Sequence, residues 1–141
     1  MKSAFQEFNR IDGQIESSYH EAAVKMHMAD SEFWILYALV TNEPMISQTD
    51  LVQITGMGKT TVNSALKKME REGLLSLQPG KGRNTCIALT ERGGQLAERT
   101  VCRLVALENR IYESWSPEEQ RMLVRLNQDY ASKLAMLIKE L

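Results

Sequence analysis

No stretch of the 141 residues approaches the length of a membrane span, and Met1 to Arg10 hold charges and two phenylalanines rather than an apolar h-region. The chain is therefore expected to be unexported, soluble and cytoplasmic, with no membrane partner. It has only two cysteines, Cys86 and Cys102, and no CxxC pair. Where thiols are kept reduced, a structural disulfide is not expected, and inert, buried cysteines are. A surplus of one charge is also missing, since the net charge is −1. Spread evenly, that balance would argue against a phosphate partner. It is not even: between Pro44 and Thr85 six cations (Lys59, Lys67, Lys68, Arg71, Lys81, Arg83) face three anions (Asp50, Glu70, Glu72). A basic middle between acidic flanks suggests a polyanion contact confined to the middle.

Catalytic and cofactor patterns are equally scarce. The string GMGKTT resembles the end of a phosphate-binding loop, but the first glycine of that motif would fall at Gln53, and a helical pattern rather than a strand precedes it. His20 and His27 have no nucleophile nearby. Seven residues apart, they can share a helical face with Glu16 or Glu21 as a metal site, against the plainer reading of two polar histidines near a helix end. Neither cysteine has an activating cation cluster in sequence. The chain is expected to be no enzyme and to need neither cofactor nor metal.

What is present is helical periodicity. Phe8, Ile11, Ile15, Tyr19, Ala22 and Met26 recur at steps of three or four, with Gly13 weakening that helix without ending it. Asp30 and Ser31 offer N-cap oxygens to a helix, apolar on most sides from Phe33 to Val40, that stops before Pro44. Ser47 with Asp50 makes a capping-box-like start for a short helix carrying Leu51, Val52 and Ile54. Thr55 to Gly58 turn the chain, and a further helix runs from Lys59 to a C-terminus at Gly73. Two short helices across a glycine-containing turn are a helix-turn-helix candidate.

Leu74 to Gln78 and Thr85 to Leu89 follow as strands around a basic, glycine-rich tip, which is a wing. Thr90 can cap one long helix through Leu96, Val101, Leu104, Val105, Ile111, Tyr112 and Trp115, with Gly93 and Gly94 fraying its first turn. Ser116, Pro117 and Glu119 start the last helix, which repeats Leu123, Leu126, Tyr130, Leu134, Leu137 and Leu141.

On the helix from Lys59, Val62, Ala65, Leu66 and Met69 share one face at about 100° per residue. The opposite face carries Thr60, Ser64, Lys67 and Arg71, with Thr61, Asn63 and Lys68 on its shoulders. Short polar side chains near the N-terminal end with longer cations behind suit a helix that meets base edges first and phosphates after. An ordinary solvated face is the plainer reading, and the neighbouring elements shift the balance. Ser47, Gln48 and Thr49 open the preceding helix, whose N-terminus favours phosphate if they do not merely cap it. In the wing Lys81, Arg83 and Asn84 can reach the DNA backbone, and Arg83 a narrow minor groove.

The order of elements, with SQTDLVQITGMGKTTVNSALKKMEREGLL, the wing segment GKGRNTCIALTERG and two long C-terminal helices, resembles the MarR family over essentially the whole chain. The resemblance implies a single, mainly α domain with a small β-hairpin wing, a winged helix-turn-helix over about 31–90 and dimerisation helices at about 3–27 and 91–141. It implies a transcriptional regulator whose helix from Lys59 reads the major groove while the wing meets the minor groove. The chain departs from many relatives at Lys81, where an acidic residue would position Arg83.

The apolar stripes of the terminal helices exceed what one winged helix can cover, so a homodimer is expected, with two recognition helices on an inverted-repeat operator and repression as the expected sign of regulation. The resemblance also implies a small aromatic or lipophilic ligand between the dimerisation helices and the winged helix. Phe8, Tyr19, Trp34, Tyr37 and Trp115 are candidates to line that cleft, with core packing as the other account of them. The competing function is a non-enzymatic adaptor built on the same scaffold. The cationic face around Lys67 favours DNA, because a protein-binding face calls for aromatic or Met anchors.

Overall fold

The computed structural model describes residues 1–42, 46–80 and 85–141. The amphipathic N-terminal segment forms α1 (Gln6–Lys25), uninterrupted at Gly13. It ends in a turn through His27, a left-handed residue at φ 56°, and Met28 N–H donates to the Ala23 carbonyl at 3.0 Å. The next helix, α2 (Asp30–Thr41), buries Phe33, Ile35, Leu36 and Ala38. An all-round apolar helix becomes the centre of the core because no face of it gains by meeting water. Its N-cap is Ala29, with no side-chain cap. Asp30, expected to cap, lies inside the first turn, and its carboxylate accepts from His20 Nδ1 at 2.9 Å.

A two-residue strand, β1 (Ile46–Ser47), leads into α3 (Gln48–Thr55). The capping box forms in full: Asp50 N–H donates to Ser47 Oγ at 3.0 Å, and Ser47 N–H donates to the Asp50 carboxylate at 3.0 Å. The Ser47 backbone N–H, foremost, and then the Ser47 side chain hold the Asp50 carboxyl below its ordinary pKa. Gly56, at φ +69°, ends α3 in the left-handed conformation that glycine adopts at least cost. The chain then enters α4 (Lys59–Arg71), whose buried side is Val62, Ala65, Leu66 and Met69. Strands β2 (Leu75–Pro79) and β3 (Thr85–Leu89) pair antiparallel, Leu77 opposite Ile87. Strand β1 adds to the other edge of β3, Ile46 opposite Ile87, giving a three-stranded sheet in the order β1-β3-β2. The hairpin expected from sequence therefore gains a third strand, too short to carry a period of its own.

The single long helix expected after Thr90 is two helices, α5 (Glu91–Arg99) and α6 (Val101–Glu113). Thr100 makes the break. Its hydroxyl donates to the Leu96 carbonyl at 2.6 Å and its N–H reaches Ala97 instead, while the backbone turns out of the helical region. The break sits between Ala97 and Val101, both in the core. Gly93 serves packing rather than fraying: a Cβ there would lie 1.9 Å from the Leu74 carbonyl oxygen, so the start of α5 rests directly on the backbone that enters β2. Thr90 caps α5 through Gly93 N–H at 3.1 Å and donates to the Gly73 carbonyl at 2.6 Å.

The last helix, α7 (Pro117–Leu137), opens with the expected capping box of Ser116 and Glu119 and ends in a 3₁₀ turn at Ile138–Glu140. The chain divides into two compact units, Met1–Leu104 and Val105–Leu141. The first holds the buried core, drawn from α2, α3, α4, the sheet and the α5–α6 break. In the second, none of the 21 residues of α7 is buried.

Two predictions follow from these contacts. Gly93→Ala is expected to destabilise the fold by roughly 1–3 kcal/mol through overpacking, whereas Gly94→Ala, with nothing within 4 Å of its added methyl, gains up to about 1 kcal/mol of helix stability; urea unfolding of both variants measures the contrast. Ser47→Ala removes a cap and is expected to cost about 1 kcal/mol. Because the folded pKa of Asp50 is depressed, the box stabilises the protein above the unfolded carboxylate value and loses that contribution as pH falls through the lower folded value. Thermal melts of the wild type and Asp50→Asn should differ at neutral pH and converge in acid.

Candidate nucleic-acid interface

Helix α4 packs on α2, α3 and β2, and its buried apolar side leaves the opposite face in solvent. Thr60, Ser64, Lys67 and Arg71 are exposed there, as sequence spacing predicts, with Lys59 and Thr61 exposed in the first turn. Among the described residues, no ion pair engages Lys59, Lys67 or Arg71. These cations are therefore open to an external anion. The N-cap of α4 is Gly58, which offers no side-chain acceptor, so the first-turn N–H groups also point to solvent unpaired within the helix.

Helix α3 presents a different end. Ser47 and Asp50 occupy each other, and the depressed pKa keeps Asp50 ionised beside any phosphate that approached. Ser47 is the cap that sequence offered as one of two roles. Thr49 is exposed, while Gln48 is half-buried and donates through Nε2 to Asn63 Oδ1 at 3.5 Å. That long bond ties the start of α3 to the middle of α4. Lys68 is exposed but engaged: its ammonium lies 2.6 Å from a carboxylate oxygen of Glu32 in the first turn of α2. Hydrogen bonding to Glu32, then its charge, raises the Lys68 pKa. Nothing in the sequence marks Glu32, because its partner is 36 positions away on another helix. The wing residues Lys81, Arg83 and Asn84 lie outside the described residues.

The aromatic candidates separate into groups. Tyr19 and Trp34 meet at a tilt of 47° with ring centroids 5.1 Å apart, and Trp34 meets Tyr37 edge-on at 5.5 Å. Phe33 joins the same cluster at 5.1 Å from Trp34. These three candidates, Tyr19, Trp34 and Tyr37, are half-buried, so each keeps some surface in solvent. Phe8 is exposed and packs on Phe5, three turns of α1 from Tyr19. Trp115 packs on Tyr112 in the second unit. Among the described residues, no group of three or more His, Cys, Asp and Glu is placed to hold a metal ion. His20 is bonded to Asp30, and His27 serves as a turn residue. Cys86 and Cys102 are free thiols, each half-buried rather than fully buried. No helix among the described residues is long and apolar enough to cross a membrane.

Comparison with known proteins places this arrangement. The homoprotocatechuate degradative operon repressor of Escherichia coli is 25% identical over 115 residues, which cover 80% of this chain and 78% of that protein. A MarR family regulator from Neisseria meningitidis superposes with a TM-score of 0.86 over 99% of both chains, at 18% identity. A MarR family regulator from Listeria monocytogenes, solved with a 26mer DNA, superposes with a TM-score of 0.72 over 96% of this chain and 91% of that one, at 23% identity. These superpositions establish the fold as the winged helix architecture of such regulators. A MarR family model matches residues 28–83, which run from α2 through the helix-turn-helix into the hairpin, so that this segment is similar in sequence to the MarR family and the whole chain is similar to it in fold.

Proposed function

We propose that this protein is a cytoplasmic, sequence-specific regulator that binds double-stranded DNA as a homodimer on an inverted-repeat operator, represses transcription there, and is released by a small aromatic or lipophilic ligand. It acts by binding and catalyses nothing. The observation that carries this reading is the outer face of α4, where Thr60, Ser64, Lys67 and Arg71 stand exposed and without protein partners among the ion pairs of the described residues, on a helix held by its buried side. Thr61 and Asn63 flank the base-reading turns. Lys59, Lys67 and Arg71 supply phosphate contacts, with Gln48 and Thr49 at the start of α3 and Lys81, Arg83 and Asn84 from the wing. Ser47 contributes by fixing where α3 begins.

A second copy is the natural cover for the terminal helices. Phe8, Ile11 and Ile15 of α1 and Leu123, Leu126, Leu134 and Leu137 of α7 are all exposed in the single chain, apolar stripes of the kind that mark interaction surfaces. Two-fold pairing would present two α4 helices, and a separation of roughly 34 Å would match successive major grooves. The ligand reading is supported by the half-buried Tyr19–Trp34–Tyr37 cluster, which offers ring faces to a flat apolar molecule.

Fluorescence anisotropy on duplex DNA from upstream of the protein's own gene, against a scrambled duplex across a salt series, tests the binding reading. Lys67→Ala is expected to weaken binding several-fold and to reduce the slope of log affinity against log salt by about 0.9; an unchanged slope removes Lys67 from the interface. Leu134→Asp is expected to convert dimer to monomer in sedimentation velocity. A surviving dimer would remove the α7 stripe from the subunit contact.

A further inference from the structure

Two side-chain bridges flank the exposed face of α4, one on each shoulder. On one side Asn63 accepts from Gln48 of α3; on the other Lys68 reaches across to Glu32 of α2. They are unequal. The Gln48–Asn63 bond is long and neutral at 3.5 Å, whereas the Lys68–Glu32 contact is short, charged and anchored on a carboxylate whose side chain is only 13% exposed. A carboxylate so covered loses hydration that an unpaired anion would need, so removing Lys68 leaves it poorly solvated. Glu32 is therefore committed to its partner. It is also immediately followed by Phe33, fully buried in the core, which fixes where it starts from.

Resting on the DNA-binding reading above, we propose that Glu32 is a positioning residue for recognition: it holds the Lys68 ammonium against α2, fixes the rotation of α4 about its own axis, and keeps Lys68 out of the phosphate contacts. The strip offered to DNA is then the narrow one between the bridges, led by Thr60, Ser64, Lys67 and Arg71. A lysine freed from Glu32 would find any phosphate attractive, whatever the sequence, because the ammonium is a point charge on a flexible stem. By holding it, Glu32 trades general affinity for discrimination between sequences.

The test is anisotropy with the full-length wild type, Glu32→Gln and Lys68→Met on a selected duplex and a scrambled one, across salt. Glu32→Gln, nearly isosteric, is expected to bind the scrambled duplex several-fold more tightly and to steepen the salt slope by up to about 0.9, the value of one added phosphate contact. Lys68→Met is expected to keep the wild-type slope while losing discrimination between the duplexes. A Lys68→Met slope that flattens as in Lys67→Ala, or a Glu32→Gln slope equal to wild type, overturns the proposal. A DNA-free arm separates this from the underlying reading: in ¹⁵N-lysine NMR, the Lys68 Nζ signal should titrate at higher pH in the wild type than in Glu32→Gln. Coincident Lys68 titrations in the wild type and Glu32→Gln show that Glu32 does not hold Lys68, while a wild type that binds no duplex selected from random DNA removes the DNA reading itself.

Discussion

Val62, Ala65, Leu66 and Met69 leave water together when α4 docks, and that burial decides what every other residue of the helix can do. Each large apolar side chain so buried contributes on the order of 1.5–3 kcal/mol, far more than any exposed polar contact on the opposite face. With the apolar side seated against α2, α3 and β2, helical geometry leaves Thr60, Ser64, Lys67 and Arg71 no direction but outward. The exposed polar face of α4 is thus a consequence of packing. The two flanking bridges refine it by limiting how far α4 can roll in its seat, and the caps at Ser47 and Gly56 fix the start and end of the helix that supports it.

The same logic explains why the scaffold is so strongly apolar at α2 and so weakly buried at α7. Helix α2 packs on α3 and α4 and buries Phe33, Ile35, Leu36 and Ala38 in the core, while in its first turn Glu32 and Asp30 each find a partner on another helix. Helix α7 has the alternation of an amphipathic helix and a full N-terminal capping box, yet keeps no residue buried in the isolated chain. An apolar stripe that local structure has prepared and tertiary structure has not used is what a subunit contact requires.

Much of this was legible in the sequence because it rests on short-range physics. The capping boxes at Ser47 and Ser116, the glycine turn at Gly56, the apolar spacing of α4 and the hairpin strands are set by residues within a few positions of one another, and the structure has each of them. What escaped depends on partners far along the chain. Strand β1 exists only because Ile46 meets Ile87. The break at Thr100 lies between Ala97 and Val101, both in the core, and no periodicity within one helix announces it. Asp30 left its expected capping role for His20, and the Glu32 partner of Lys68, on another helix, had no sign in the sequence. Gly93, read as a flaw in a helix, is required by the Leu74 carbonyl. Apart from the break at Thr100, these features depend on contacts distant in sequence that override a local preference.

The account stands or falls on the outer face of α4 meeting DNA, and amide chemical-shift mapping tests that most directly. On titration of the ¹⁵N-labelled protein with a duplex selected from random sequence, the largest perturbations are predicted at Lys59 to Ser64, Lys67 and Arg71, with a smaller set at the start of α3 and little change on the buried side of α4. Perturbations centred elsewhere, or a spectrum that no selected duplex alters, would contradict it.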